Sequence, residues 1–325
     1  MAVFTPVSEA DARELLSHYD LGELISLTGI SAGIENSNFF LNTTQGNFVL
    51  TLFEVLTFEQ LPFYVELMFH LANHGVAVPM PQTRHDDKRL GMLNGKPCII
   101  ATRLPGQWVA APTAQHCEIA AYTQARIHLA AKDFTIHQPN LRGLPWWEET
   151  VPKVLPFLND AQRTLLENTL AEQIRLTQNG AYADLPSGPA HCDFFRDNVL
   201  FTGTETEPVM GGVIDFYFAG VDTWLFDVAV AVNDWCIDLK TGVLDPIRVH
   251  AWLRGYKKLR PFTTQEATLW PSVLQAAALR FWISRLNDFH FPREAQSLKP
   301  HDPTHFERIL HERVHGVIEP LLEAN

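Results

Sequence analysis

The chain has 325 residues, 46% of them apolar and 19% charged, with a formal net charge of -12. That length suffices for two separate hydrophobic cores, and the composition is that of an ordinary globular protein, not of a disordered or fibrous one. An acidic balance with no stripe of clustered Lys and Arg argues against a nucleic-acid partner. Cys98, Cys117, Cys192 and Cys236 are scattered without a C-x-x-C pair, which points away from a disulfide framework or zinc knuckle and toward free thiols in a reducing compartment. Met1 to Tyr19 carries acidic residues and no apolar stretch of signal-peptide length, and no later run reaches the roughly 18 apolar residues of a membrane span. A cytoplasmic protein with no membrane partner is expected, and oligomeric state has no signature in the sequence.

Residues 1–103 read as a small mixed lobe. Leu24 to Thr28, Asn38 to Leu41 and Phe48 to Phe53 are β-prone runs, the first two flanking Gly29-Ile30-Ser31-Ala32-Gly33-Ile34-Glu35-Asn36. Thr57-Phe58-Glu59-Gln60 has the Thr-x-x-Gln form of a capping box, opening a helix with Leu61, Val65, Met68 and Ala72 on one face and ending at His74-Gly75. Met80 to Thr83 and Lys96 to Ala101 are two further strand predictions, bracketing a turn-rich stretch from Asp86 to Gly95. After Leu104-Pro105-Gly106, residues 104–325 turn helical, with helices predicted over 113–131 and 160–178 and a breaker-rich loop at Asn140 to Trp147 between them. Residues 190–220 read as loop, strand, turn at Gly203 to Pro208, and strand; the rest is mainly helical.

The chemistry concentrates in that last segment. His191-Cys192-Asp193 is followed by Asn198 five residues after the Asp, and Gly212-Val213-Ile214-Asp215 sets a second Asp at the end of an apolar strand. Phosphoryl transfer needs such a set: one carboxylate to accept the proton of an attacking hydroxyl, and an amide and a carboxylate oxygen to hold Mg²⁺ against nucleotide phosphates. His-x-Asp by itself is a weak signal, read equally well as a buried His beside a capping Asp. The combination of His191, Asp193, Asn198, Asp215 and Asp227 with apolar strands between them is far more specific.

His-x-Asp-x-x-x-x-Asn, then Ile214-Asp215-Phe216 and Asp227-Val228-Ala229, resembles the aminoglycoside-phosphotransferase and choline-kinase branch of the protein-kinase-like fold. Within it the chain is most similar to the homoserine kinases of this type. Gly33 to Phe40, Phe48 to Glu54, Phe194 to Asn198 and Val232-Asn233-Asp234-Trp235-Cys236 carry the closer match, and similarity runs from about residue 1 to 320. The resemblance implies an α+β bilobal fold, with a nucleotide-binding antiparallel-sheet lobe over 1–103 and a larger helical catalytic and substrate-binding lobe over 104–325. It implies ATP and Mg²⁺ as cofactors and L-homoserine as the small-molecule substrate. By position it makes Asp193 the catalytic base, Asn198 and Asp215 the metal ligands, and His191 and Asp227 supports of the catalytic loop. The nucleotide falls to Gly29, Ser31, Gly33, Asn36, Thr51, Ala101 and Arg103.

One departure stands out. Kinases of this fold usually place a Lys on the third strand to bind phosphates, and Thr51 occupies that position, so either another cation such as Arg84, Lys88, Lys96 or Arg103 reaches the phosphates, or Mg²⁺ and backbone amides carry more of the stabilisation. For the substrate, Arg196 or a later Arg such as Arg280 is a carboxylate-binding candidate, and Asp234 or Asp238 an ammonium-binding one. The competing reading of Arg196 is an ion pair with Asp197 or Glu54. Other acceptors, choline or an aminoglycoside, keep the same mechanism, and a nucleotide-binding pseudokinase is the alternative from another class.

Overall fold

The computed structural model describes residues 4–30, 36–292 and 301–321. The chain divides into two compact units, one built from residues 1–105 and the other from 106–292 with the C-terminal segment.

The N-terminal unit opens with a helix absent from the sequence expectation, α1 (Glu9–Leu16). Ser8 accepts from the Asp11 amide at 3.1 Å and the Asp11 carboxylate accepts from the Ser8 amide at 2.8 Å, a reciprocal cap. Five antiparallel strands follow in the order β1-β2-β3-β5-β4: β1 (Leu24–Gly29), β2 (Asn36–Thr43), β3 (Gly46–Phe53), β4 (Gly91–Leu93) and β5 (Lys96–Thr102). Side chains alternate across a sheet, so Phe39, Leu41, Phe48, Leu50, Leu52, Cys98 and Ile100 fall on one face. They bury themselves with Ala12, Leu15 and Leu16 of α1.

Two expectations need correction in this unit. Met80 to Thr83 forms a single bridge, Pro81 to Ala101, in place of a strand, because Pro79 and Pro81 cannot donate to a ladder. The remaining strand, β4, lies inside the stretch read as turns. The Thr57-Gln60 motif closes a turn, its Gln60 side chain accepting from the Thr57 amide at 2.9 Å, but α2 (Pro62–Asn73) starts later. Pro62 sets that start, since its missing N–H is no loss in a first helical turn.

The C-terminal unit carries α3 (Ala114–Ala130), α4 (Leu144–Val154), α5 (Asp160–Gln178), α6 (Trp224–Trp235), α7 (Pro246–Lys257), α8 (Thr264–His290) and α9 (Thr304–His315). The breaker-rich segment is in fact the start of α4: Gly143 is its N-cap and Pro145 sits in its first turn, where proline is tolerated. Two short antiparallel ribbons flank α6: β7 (Val199–Gly203) with β8 (Pro208–Val213), and β6 (Ser187–Ala190) with β9 (Gly220–Thr223). Every residue of α6 is buried, and α8 packs along it while α3 packs along α7. Trp235, Trp252, Trp270 and Trp282 are the largest side chains of this interior.

The α3–α7 crossing depends on Gly255, where an added Cβ would stand 2.2 Å from the Glu118 carbonyl oxygen. Gly255→Ala is expected to force the helices apart, at a cost of roughly 1–3 kcal/mol from overpacking, lowering the thermal midpoint read by circular dichroism. An unchanged midpoint would mean that the crossing is not close.

Candidate active site

The catalytic-loop candidates lie between β6 and β7, and α6 holds the loop from behind. Asp227 stands four residues into α6 and is wholly buried. One carboxylate oxygen accepts from the Cys192 amide at 2.6 Å; the other accepts from Gln124 Nε2 at 2.7 Å and from His128 Nε2 at 2.9 Å. Burial raises the pKa of Asp227, yet the hydrogen bonds from His128 and Gln124 and the pull of the two nearby imidazoles outweigh it, so the net shift is downward and the group is a carboxylate. Burial lowers that of His128 against the pull of Asp227. The two directions agree on a neutral imidazole that donates from Nε2 to Asp227 and accepts at Nδ1 from Tyr256 Oη, 2.7 Å away.

One face of α6 repeats this two turns on. Asp234 accepts from the Arg196 amide at 2.8 Å, and Trp235 Nε1 donates to the Phe194 carbonyl at 3.0 Å. The amides and carbonyl on either side of Asp193 are thereby fixed to one rigid helix. Cys192 adopts φ 60, a left-handed conformation that costs a non-glycine residue of order 1–3 kcal/mol and persists where surroundings over-determine it.

Asp193 itself is half-buried and so reachable. Asn198 donates through Nδ2 to the Asp193 carbonyl at 2.9 Å and to its Oδ2 at 3.2 Å. With both amide hydrogens directed to Asp193, the Asn198 Oδ1 is left as an acceptor, the role a hard cation requires. Asp215 follows β8 with φ 63 and ψ 60, is exposed, and is tied to the same loop by the Ile214 amide donating to the Asn198 carbonyl at 2.9 Å. His191 Nε2 lies 2.9 Å from the Ile214 carbonyl, and burial lowers the pKa of its ring. Asp193, Asn198 and Asp215 thus share one hydrogen-bonded frame, with two oxygen donors of the type that suits Mg²⁺.

The substrate candidates fare differently. Arg196 pairs with neither Asp197 nor Glu54; its Nε and Nη2 meet the two Asp234 carboxylate oxygens at 3.0 Å each. Nη1 donates to the Ala110 carbonyl at 3.1 Å, and Nη2 also to the Asp234 carbonyl. Arg196 and Asp234 therefore satisfy one another, and both are buried. Asp238 is exposed and caps a turn, accepting from the Lys240 and Thr241 amides at 2.9 Å. Arg280 is buried on α8.

In the N-terminal unit, the pairing register puts Asn38 beside Thr51 and Phe40 beside Val49, which lies beside Ala101. Asn36, Thr51 and Ala101 accordingly share the sheet face opposite α1, and Arg103 lies over the Phe40 ring at 3.8 Å. The Thr51 hydroxyl donates to Asn38 Oδ1 at 2.8 Å, so its single hydrogen is used inside the sheet. Lys96 pairs with Glu54 at 3.1 Å and Arg84 with Asp86 at 3.1 Å. Gly29 ends β1; Ser31 and Gly33 lie outside the described residues.

Gln124, His128 and Tyr256, which anchor Asp227, went unnamed in the sequence. Each sits among other polar residues of α3 or α7, and nothing in local spacing singles it out. Asn233 was visible only as part of a stretch, yet its Nδ2 donates to the Leu274 carbonyl at 2.9 Å and its Oδ1 accepts from Arg313 Nε at 2.7 Å.

The phosphotransferase enzyme family matches residues 26–262. The chain is 59% identical to a homoserine kinase of Paraburkholderia phymatum, covering 97% of this chain and 99% of that one. It is 57% identical to one of Burkholderia ambifaria, covering 97% and 96%. Among solved structures it is similar to amicoumacin kinase hAmiN, with a TM-score of 0.69 at 14% identity over 95% of this chain and 93% of that one. It is likewise similar to a microcompartment-associated aminopropanol kinase, with a TM-score of 0.65 at 16% identity and 94% coverage of both; at these identities the likeness is one of fold. The full-length identity to the two bacterial relatives shows more: this chain belongs to the phosphotransferase enzyme family and, within it, to the homoserine kinases.

Proposed function

We propose that the protein transfers the γ-phosphoryl group of ATP to the side-chain hydroxyl of L-homoserine, giving O-phospho-L-homoserine and ADP, a step toward threonine in the cytoplasm. The observation that carries this reading is the half-buried Asp193 held by a fixed loop beside Asn198 and Asp215, in a chain of homoserine-kinase sequence. Asp193 orients the hydroxyl and takes its proton as the new O–P bond forms, while the bond from the γ-phosphorus to the bridging oxygen breaks and its electrons leave with ADP. A loose transition state asks little covalent help, so positioning does most of the catalytic work.

Asn198 Oδ1 and the Asp215 carboxylate are the ligands for Mg²⁺, which when bound neutralises phosphate charge. His191 and Asp227 act by holding the loop. In the N-terminal unit, Asn36, Thr51, Ala101 and Arg103 form the nucleotide-facing group together with Gly29. Thr51 contributes shape here and no charge, because its hydroxyl hydrogen is committed to Asn38; Arg103, with its guanidinium stacked on Phe40, is the cation we assign to the phosphates. The choline and aminoglycoside alternatives are not favoured by the full-length identity to homoserine kinases, and the pseudokinase alternative, motivated by Thr51, is opposed by Asp193, Asn198 and Asp215 all being present.

A coupled assay of ADP release should show turnover with L-homoserine and none with choline or kanamycin. Asp193→Asn, with an unchanged circular dichroism spectrum, should lose roughly 10²–10⁴ of kcat as a general base is removed. Choline or kanamycin turned over as well as homoserine would refute the substrate, and a variant keeping a third of the activity would refute the base.

Metal dependence separates the two ligands. Asn198→Ala, which also frees Asp193 Oδ2 of a hydrogen bond, should raise the Mg²⁺ concentration needed for half-maximal rate. Asp215→Ala, which deletes a charged ligand, should abolish activity at any Mg²⁺ concentration tested. Identical Mg²⁺ titrations in both variants and the parent protein would mean that the metal sits elsewhere.

A further inference from the structure

Four arginines are buried among the described residues: Arg196, Arg260, Arg280 and Arg313. Three of them have an acceptor for their charge, although Arg260 keeps one buried nitrogen, Nη1, without a hydrogen-bond partner. Arg196 forks onto Asp234, Arg260 pairs with Glu266, and Arg313 donates to Asn233 Oδ1 at 2.7 Å and to the Gly242 carbonyl at 3.1 Å. Arg280 differs. It is 3% exposed, no carboxylate among the described residues stands within ion-pair distance, and its buried Nε has no hydrogen-bond partner. Leaving a cation buried without a partner is among the more expensive arrangements a fold can keep.

Its surroundings say where it points. The Arg280 guanidinium lies 3.7 Å from the Phe281 ring centroid and 5.5 Å from that of Phe218. Phe218 is three residues beyond Asp215, and Phe281 packs on Phe195 of the catalytic loop with centroids 4.5 Å apart. α8 therefore brings this guanidinium to the side of the catalytic loop, against the segment that carries Asp215. Burial pushes the Arg280 pKa down to about 10, and of all charged groups Asp193 acts on it most strongly in the opposite direction.

We propose that Arg280 binds the carboxylate of the acceptor substrate, and so selects an amino acid over a plain amino alcohol. This rests on the proposed reaction and deepens it. In extended homoserine the carboxylate carbon and the hydroxyl oxygen are roughly 5 Å apart, three carbon–carbon bonds and one carbon–oxygen bond. A carboxylate on Arg280 thus leaves the hydroxyl free to reach toward Asp193. The planar fork of arginine takes a carboxylate through two parallel hydrogen bonds, and the aromatic faces of Phe281 and Phe218 hold that fork in place meanwhile. Arg196, the other carboxylate-binding candidate read from the sequence, has its fork on Asp234 instead.

The test compares L-homoserine with 3-amino-1-propanol, which is homoserine without its carboxylate. The parent enzyme should favour homoserine by roughly a hundredfold or more in kcat/KM, since the carboxylate-free substrate leaves a buried charge unpaired. Arg280→Met, close in volume to the aliphatic stem, should raise KM for homoserine by a similar factor and leave kcat/KM for 3-amino-1-propanol within about threefold. An equal loss on both substrates, or no loss on either, would overturn the proposal while leaving the homoserine reading intact. Absence of homoserine turnover in the parent enzyme would overturn both. If Arg280→Met does not fold, Arg280→Lys decides: the homoserine preference should fall about tenfold because lysine lacks the fork, and an unchanged preference would count against the assignment.

Discussion

Two carboxylates on one buried helix face, Asp227 and Asp234, accept the backbone amides of Cys192 and Arg196 on either side of Asp193, and the rest of the site depends on them. They are seven residues apart, two helical turns, so they line up along the loop they hold. A hydrogen bond to a charged partner contributes about 1.5–3 kcal/mol, enough to offset the left-handed conformation of Cys192 at one end. Trp235 adds a bond to the carbonyl of Phe194. A loop fixed by a helix rather than by its own flexible chain keeps its carboxylate in one place, which is what a reaction driven by positioning needs.

The helix is itself held. Gln124 and His128 of α3 satisfy the second oxygen of Asp227, Tyr256 of α7 satisfies His128, and Asn233 links α6 to α8 and α9 through Leu274 and Arg313. A buried polar network of this kind is stabilising only when every member is paired. Here the pKa directions of Asp227 and His128 agree with a fully paired set, an anion and a neutral ring. Arg280 stands outside the network, a buried cation beside the catalytic loop with no carboxylate among the described residues within ion-pair distance.

The parts legible in the sequence are those governed by local rules. The β7–β8 hairpin follows from two apolar runs around Gly203 to Pro208, and α3 and α5 from periodicity. Asp193, Asn198 and Asp215 stood out because a single loop and hairpin carry them. Less legible were the elements whose signals conflict: α1 is short and polar, and Gly143 and Pro145 read as breakers although both suit a helix start. The pairing of Arg196 with Asp234 spans 38 residues, and that of Gln124 with Asp227 spans 103; nothing in local spacing announces either. For the same reason Asp238, though close in sequence to Asp234, belongs to a surface turn.

Hydrogen exchange at the Cys192 amide in the Asp227→Asn variant is the most direct test of the claim that α6 fixes the catalytic loop. Exchanging the carboxylate for an amide keeps the shape but weakens acceptance of the Cys192, Gln124 and His128 hydrogens together. Exchange at Cys192 should quicken by roughly tenfold or more while α8 amides keep their protection, because the opening is local. Unaltered protection at Cys192 in a folded Asp227→Asn protein would contradict the account, since the loop would then be held by something other than the helix behind it.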